Sequence, residues 1–278
     1  MNSGNKDLRI ITRYLAALLL LIAYNKSCIA QSSVGVPPLV IEHPRPSFGF
    51  EAGVGQNSQS GTMECECGST FTGGKGNGWS ASGFFELPVG NDFNVGLKAG
   101  YDRENTSTTT PANEVVIIMI PNSNNSETTT LPVNQNATLN IAFFHFDPFI
   151  QYQVLHSDFF VQLGAGISIL SSSQFSQTRT MTSNSANMGG TTNNSVTFAN
   201  GSTTEAIEGG SIGGITSPQF SGIISAGYNF RFGMTSIAPM LNYDYPFSIN
   251  SSPTTSFPGG NNWKISTISG SIAMKFNL

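Results

Sequence analysis

The chain reads as an all-β protein that closes into an antiparallel transmembrane β-barrel, and three observations carry that reading. Eight segments alternate between apolar and small or polar residues, which is the period of a strand with two unlike faces. Charged residues make up only 10% of the chain, against about 25% in soluble globular proteins, and Ser, Thr, Asn and Gly fill the gap rather than a larger apolar core. Short turns and long connections follow one another along the chain, as in barrels with short inner turns and long outer loops.

The N-terminal residues point to export. Lys6, Arg9 and Arg13 precede an apolar run over residues 14–24, and Cys28-Ile-Ala30 supplies small residues before Gln31, so residues 1–30 read as a signal peptide. The run is too short for a membrane helix, which needs roughly 20 apolar residues. Asn25-Lys26-Ser27 is too polar for a usual lipoprotein anchor on Cys28. No later segment is apolar enough for a spanning helix, so membrane integration has to be as a barrel. Cleavage after Ala30 leaves 248 of the 278 residues, and the full-chain charge of −4 becomes about −7 once Lys6, Arg9, Arg13, Lys26 and Asp7 are removed. No basic run remains to neutralise phosphates, which argues against nucleic-acid binding. Residues 31–46, with Pro37, Pro38, Pro44 and Pro46, form an extended periplasmic lead-in, and residues 47–278 form the barrel.

The first strand sets Phe48, Phe50, Ala52 and Val54 against Gly49, Glu51 and Gly53. The second turns Trp79, Ala81, Gly83, Phe85, Leu87 and Val89 outward and Ser80, Ser82, Phe84 and Glu86 inward. The third has Phe93, Val95, Leu97, Ala99 and Tyr101 outward, with Lys98 and Asp102 inward. The fourth places Ala142, Phe144, Phe146, Ile150 and Tyr152 outside and Phe143, His145, Asp147, Gln151 and Gln153 inside. In the fifth, Phe159, Val161, Leu163, Ala165, Ile167 and Ile169 alternate with Phe160, Gln162, Gly164, Gly166 and Ser168. The sixth presents Phe220, Gly222, Ile224, Ala226, Tyr228 and Phe230 outward and Ser221, Ser225, Gly227, Asn229 and Arg231 inward. The seventh has Ile237, Leu241, Tyr243, Tyr245 and Phe247 outside and Ala238, Met240, Asn242 and Asp244 inside. Pro148 and Pro239 each remove a ladder donor, so a bulge or bend is expected at both.

The eighth strand, Ile268 to Leu278, alternates Ile268, Gly270, Ile272, Met274, Phe276 and Leu278 with Ser269, Ser271, Ala273, Lys275 and Asn277. It resembles the closing strand of Gram-negative outer-membrane β-barrels, which ends on an apolar or aromatic residue. The chain as a whole is similar to the OmpA-type transmembrane domain and to porin-family outer-membrane proteins. That resemblance implies the cell outer membrane, recognition by the outer-membrane insertion machinery through the C-terminal strand, a lipid-embedded monomer, and a structural or surface-interaction role through extracellular loops with an unknown extracellular partner. A narrow solute pore and a secreted soluble β-barrel or sandwich are the alternatives. A periplasmic domain after the barrel is not expected, because the barrel closes the chain.

Strands two to three, four to five and six to seven join through short turns, while residues 57–76, 103–136, 172–216 and 248–262 are long connections that face outside. Residues 115–120 (Val-Val-Ile-Ile-Met-Ile) extend a hairpin above the membrane or make a further strand, so eight strands are expected with ten as the alternative. Phe93 and Tyr101, at ~3.3 Å per residue and a tilt of about 40°, span roughly 20 Å of height, close to the apolar band of about 25 Å edged by aromatics. Trp79, Tyr101, Tyr243 and Tyr245 would form the outer belt, and Phe93, Tyr152, Phe159, Phe230 and Phe276 the inner one.

Glu51, Glu86, Lys98, Asp147, Arg231 and Lys275 are assigned to the lumen near its periplasmic end, with Asp102 and Asp244 higher. They read either as an ion path or as an ion-pair plug, and the plug is favoured because eight strands leave an interior just wide enough for side chains and Phe84, Phe143, Phe149 and Phe160 also point in. Cys65 and Cys67 beside Glu64 and Glu66 could suggest a metal, but with no histidine nearby two thiols do not complete a zinc site, and a bridge two residues apart closes almost no loop. No metal or cofactor is expected. His43 lies in the lead-in, His156 in a short turn and His145 mid-strand beside Asp147. None is in an outer loop where a nucleophile and base would meet substrate, so the reading assigns no catalytic residue and no enzymatic activity.

Overall fold

The computed structural model describes residues 45–64, 70–119, 126–182, 185–188, 191–195, 197–198, 200–211, 215, 217–247, 249–251 and 261–278. The signal-peptide segment, most of the Pro-rich lead-in, His43, Cys65 and Cys67 lie outside them. Eight strands close a ring: β1 Ser47–Glu64, β2 Thr70–Pro88, β3 Phe93–Met119, β4 Ser126–Gln153, β5 Phe159–Met181, β6 Gln219–Tyr228, β7 Thr235–Pro246 and β8 Asn261–Asn277. Each pairs antiparallel with its sequence neighbours, and β8 pairs with both β7 and β1, which removes the sheet edge. The alternative of ten barrel strands is not realised; residues 115–119 belong to β3.

The packing inverts that of a soluble protein. Phe50, Leu163 and Ile272 are 60–64% exposed on the outer face, whereas inward Gln151, Gln162 and Lys275 are at most 5% exposed. Such a continuous apolar skin is far beyond the patch a water-soluble monomer shows, and it matches the lipid-facing band of a membrane barrel. Aromatic pairs edge the band: Trp79 and Tyr101 lie 5.7 Å apart at the outer rim, and Phe48–Phe276 (5.4 Å) and Phe93–Tyr152 (5.0 Å) at the inner one.

The alternation read from the sequence holds in all eight strands, with four corrections. First, the described residues of the long outer connections are largely strand. The β3–β4 pairing runs unbroken from Phe93↔Tyr152 to Met119↔Ser126, and β1 and β2 pair up to Glu64↔Thr70. Second, Pro148 and Pro239 produce no bulge. Both stay in register with Leu97 and Ile272, and on their other side the ladder lapses or has ended, so no bond needs their missing N–H. Among the pairings of the ring the register shifts fall at Gln59/Thr62 and Ala142/Phe143. Third, Ala142 faces outward but is buried. It pairs with Arg103, whose side chain reaches Asn140 at 2.8 Å and so crosses over it. Fourth, β6 ends at Tyr228, and Phe230–Phe232 forms a tight hairpin with Thr235–Ile237 through Gly233 at φ 65°. The parity of β6 therefore does not extend to Arg231, which is exposed at the rim and pairs with Asp158 at 2.9 Å rather than pointing into the lumen.

The inner turns are short: residues 89–92, the 3₁₀ turn Val154–His156, and the hairpin at Gly233.

Candidate functional site

The interior is layered along the barrel axis. The lowest layer is apolar, with Phe84, Phe160, Ala238, Met240 and Ala273 packed together and buried. Room for these rings comes from the partner strand: Phe84 stands opposite Gly49, Phe160 opposite Gly227 and Phe149 opposite Gly96, and a methyl on any of these glycines would meet the ring. Within this layer Lys275 Nζ donates to Glu86 at 2.9 Å and to Gln151 at 3.2 Å, and it lies 4.8 Å from the Phe160 ring centre. Gln162 donates to the same Gln151 oxygen at 2.9 Å, and Ser47 donates to Glu86 at 3.2 Å. A buried pair so fully bonded fixes geometry more than it adds stability.

Above it lies a polar chamber of about 130 Å³. Glu51 takes Lys98 at 2.5 Å and accepts from Ser271 at 2.7 Å. His145 Nδ1 lies 2.6 Å from Asp147 Oδ2, and Gly100 leaves the space that the imidazole occupies. Asp102 and Glu104 of β3 and Asp244 of β7 also line the chamber. Higher still, β1, β2, β4, β5 and β8 contribute Met63, Phe71, Leu139, Ile141, Phe143, Phe175, Trp263 and Ile265 to a second buried apolar layer.

The strands then continue outward. From Tyr101 to Ile117 of β3, at ~3.3 Å per residue and about 40° of tilt, is roughly 40 Å. This outer tip has its own core of Leu131, Val133, Met181 and Phe198, with Ala112 against it. Thr204–Gly210 pairs with β5 and Thr197–Phe198 with the end of β3, so the segment after β5 reaches both edges of the extended sheet. Arg179 ties these pieces together. It donates to Glu114 of β3 at 2.9 Å and to Glu205 at 2.6 Å, and it stands over the Phe198 ring at 5.1 Å. Burial opposes its charge, but the hydrogen bonds to Glu114 and Glu205 outweigh it and hold the guanidinium pKa above its ordinary value.

Of the charged residues assigned to the lumen, Glu51, Glu86, Lys98, Asp147, Lys275, Asp102 and Asp244 are there, and Arg231 is not. The sequence reading missed Glu104 in the chamber and, apart from Phe143, the upper apolar layer. Among the described residues no group of three or more His, Cys, Asp or Glu is placed to hold a metal ion.

Closed ring, lipid-facing skin and polar interior define an outer-membrane β-barrel protein. No protein-family model matches the chain, and no curated protein does. Among solved structures it is similar to the outer membrane protease OmpT from Escherichia coli, at 9% identity and a TM-score of 0.39, covering 89% of this chain and 99% of that one. It is also similar to Neisserial surface protein A, at 11% identity and a TM-score of 0.34, covering 83% and 97%. A third is Ail, the attachment invasion locus protein of Yersinia pestis, at 10% identity and a TM-score of 0.27, covering 84% and 100%. The first of these is a protease, and on that finding the expectation that the chain is no enzyme is withdrawn. No catalytic role is carried from that protein to any residue here.

Proposed function

We propose that the protein is exported by its N-terminal signal peptide, inserted in the outer membrane through its C-terminal strand, and presents a stiff β-structured tip to a partner outside the cell. The observation that carries this reading is the pairing of a filled lumen with a built tip. Phe84, Phe160 and Met240 occupy the inner end of the barrel, which disfavours conduction, while Arg179 and the core around Phe198 give the outer extension its own packing. The outer face of that tip is neutral and carries exposed Val115 and Ile117 between threonines and asparagines. Such a surface offers hydrogen bonds and a small apolar contact, the mix found at polar, hydrated interfaces. The resemblance of the closing strand to that of Gram-negative outer-membrane β-barrels, and of the chain as a whole to the OmpA-type transmembrane domain, is compatible with this role.

The test has two arms. In planar bilayers the purified barrel is expected to show no steady open-channel current. Replacing residues 108–135 by a short turn is expected to leave heat-modifiable gel migration intact and to abolish binding of the expressing cells to whatever surface they recognise. Steady currents that change on Lys98→Ala, together with unaffected binding after truncation, would replace this reading by that of a pore.

A further inference from the structure

We propose that the outer wall of the barrel carries a site for one phosphate-bearing acyl lipid of the surrounding leaflet, with Arg103 taking the phosphate and a groove beneath it taking an acyl chain. The strand register builds the groove. One row across the wall runs Ile272, Ala52, Ala81, Tyr101 and Phe144, and the row inward of it runs Met274, Phe50, Gly83, Ala99 and Phe146. Small residues hold the middle of both rows, so Ala52, Ala81, Gly83 and Ala99 form a floor. Phe50, Ile272 and Met274 wall one side of it, and Tyr101, Phe144 and Phe146 the other. The pair Phe85↔Leu97 closes the inner end, and the pair Trp79↔Arg103 stands at the outer end. The groove lies in the lipid-facing band, so hydrocarbon fills it and not water.

The head of the occupant is set by charge. Arg103 is exposed, and its Nε donates to Asn140 at 2.8 Å across the buried Ala142. That bond holds the guanidinium against the wall, while its two terminal amino groups have no partner among the described residues. A planar fork fixed in this way suits a phosphate. Asn105, paired with Asn140 and exposed one step further out, adds an amide on the same face. On β2, β3 and β8 the charges facing outward beyond the aromatic rim are Lys75, Arg103 and Lys264. The carboxylates of β3 face inward: Asp102 and Glu104 line the chamber, and Glu114 is bonded to Arg179. Lys264 is engaged with Tyr245, at 2.5 Å from its hydroxyl and 4.4 Å from its ring centre. Lys75 lies four residues beyond Trp79, about 13 Å further out. Arg103 is therefore the cation poised over the groove, about 13 Å along the strand from Ala99, a span that one lipid bridges. This inference goes beyond the surface role proposed above and does not depend on it.

The experiment uses the full barrel refolded in bilayers of brominated phosphatidylcholine. Of the two tryptophans, Trp79 is exposed at the outer end of the groove and Trp263 is enclosed in the upper apolar layer, so quenching by the lipid-borne bromine reports Trp79. Unbrominated phosphatidic acid is expected to relieve half of the quenching at a mole fraction roughly tenfold or more below that of unbrominated phosphatidylcholine with the same chains, the factor expected for a charge-assisted hydrogen bond. Arg103→Gln is expected to abolish this preference, and Lys75→Gln to leave it. Gly83→Leu with Ala99→Leu fills the groove on a face where a side chain at Gly83 meets no atom closer than 3.8 Å; it is expected to reduce the preference severalfold with Arg103 in place. Heat-modifiable migration confirms that each variant folds. Inorganic phosphate in the buffer is expected to change nothing. Equal displacement by both lipids, or a preference that survives Arg103→Gln, would overturn the proposal. So would an equal loss on Lys75→Gln, which would mean diffuse attraction, or an undiminished preference in the filled groove. Competition by inorganic phosphate would reduce the site to one for any phosphate, and failure of the brominated lipid to quench Trp79 would mean that another protein copy covers this wall; either result would overturn it.

Discussion

Leu163 and Gln162 are adjacent on β5 and live in opposite solvents. Leu163 is 60% exposed on the outer skin, while Gln162 is 5% exposed and bonded to Gln151 inside. Leu163→Arg is expected to cost about 2–4 kcal/mol, the penalty for a cation near the bilayer midplane, whereas Leu163→Ile should be near neutral. Urea unfolding in lipid vesicles, followed by tryptophan fluorescence, checks both; equal stability of the two variants would mean that this face does not meet lipid. Lys275 poses the complementary question inside. Lys275→Met leaves Glu86 buried without its partner, at an expected cost of about 3–5 kcal/mol, whereas Lys275→Met combined with Glu86→Leu should recover most of the loss. The same unfolding titration reads out both, and a double variant no better than the single one would show that the pair itself, not the orphaned carboxylate, carries the stability.

At the scale of elements, the reading from sequence succeeded where the two faces of a strand differ in chemistry. The apolar–polar contrast of β5, from Phe159 to Ile169, fixes both its existence and its facing. It failed where both faces are mostly polar: in the outer halves of β1 and β2 only Met63 and Phe71 stand out from Gly, Ser, Thr, Asn and Gln, and Asn105 to Asn113 of β3 is largely Thr, Ser and Asn, so a period of two leaves little trace in hydropathy. One signal was present but unread. Leu131, Val133, Ala137, Leu139 and Ile141 of β4 alternate with Pro132, Asn134, Asn136, Thr138 and Asn140, the mark of a strand with one buried face. The lumen was legible for the same reason as β5, by parity, and Arg231 was misplaced because parity was carried past the break at Asn229. The tip could not be foreseen, since Glu114, Arg179, Phe198 and Glu205 are joined only by folding. Arg179→Ala leaves Glu114 and Glu205 without their cation. It is expected to raise amide hydrogen exchange across Thr197–Phe198 and Thr204–Gly210 by roughly one to two orders of magnitude while β6 to β8 stay protected, about what losing 1.5–3 kcal/mol of charge-assisted bonding implies. Unchanged exchange in both segments would remove Arg179 from its role as the clasp.

For the whole molecule, polar residues inside and apolar residues outside make sense only in lipid, and the asymmetry between short turns and long hairpins gives the barrel a direction. Residues 89–92, the Val154–His156 turn and the Gly233 hairpin lie at one end, and the β3–β4 tip lies at the other. The surface role requires that the tip face outward. The most direct measurement is cysteine labelling of intact cells with a membrane-impermeant maleimide, in a background carrying Cys65→Ser and Cys67→Ser. Asn113→Cys, exposed on the outer face of β3, is expected to label in intact cells. Ser157→Cys, in the turn between β4 and β5, is expected to label only after the outer membrane is permeabilised. The reverse pattern would invert the barrel, and recovery of the protein in a soluble fraction with both positions freely labelled would contradict the membrane-barrel account altogether.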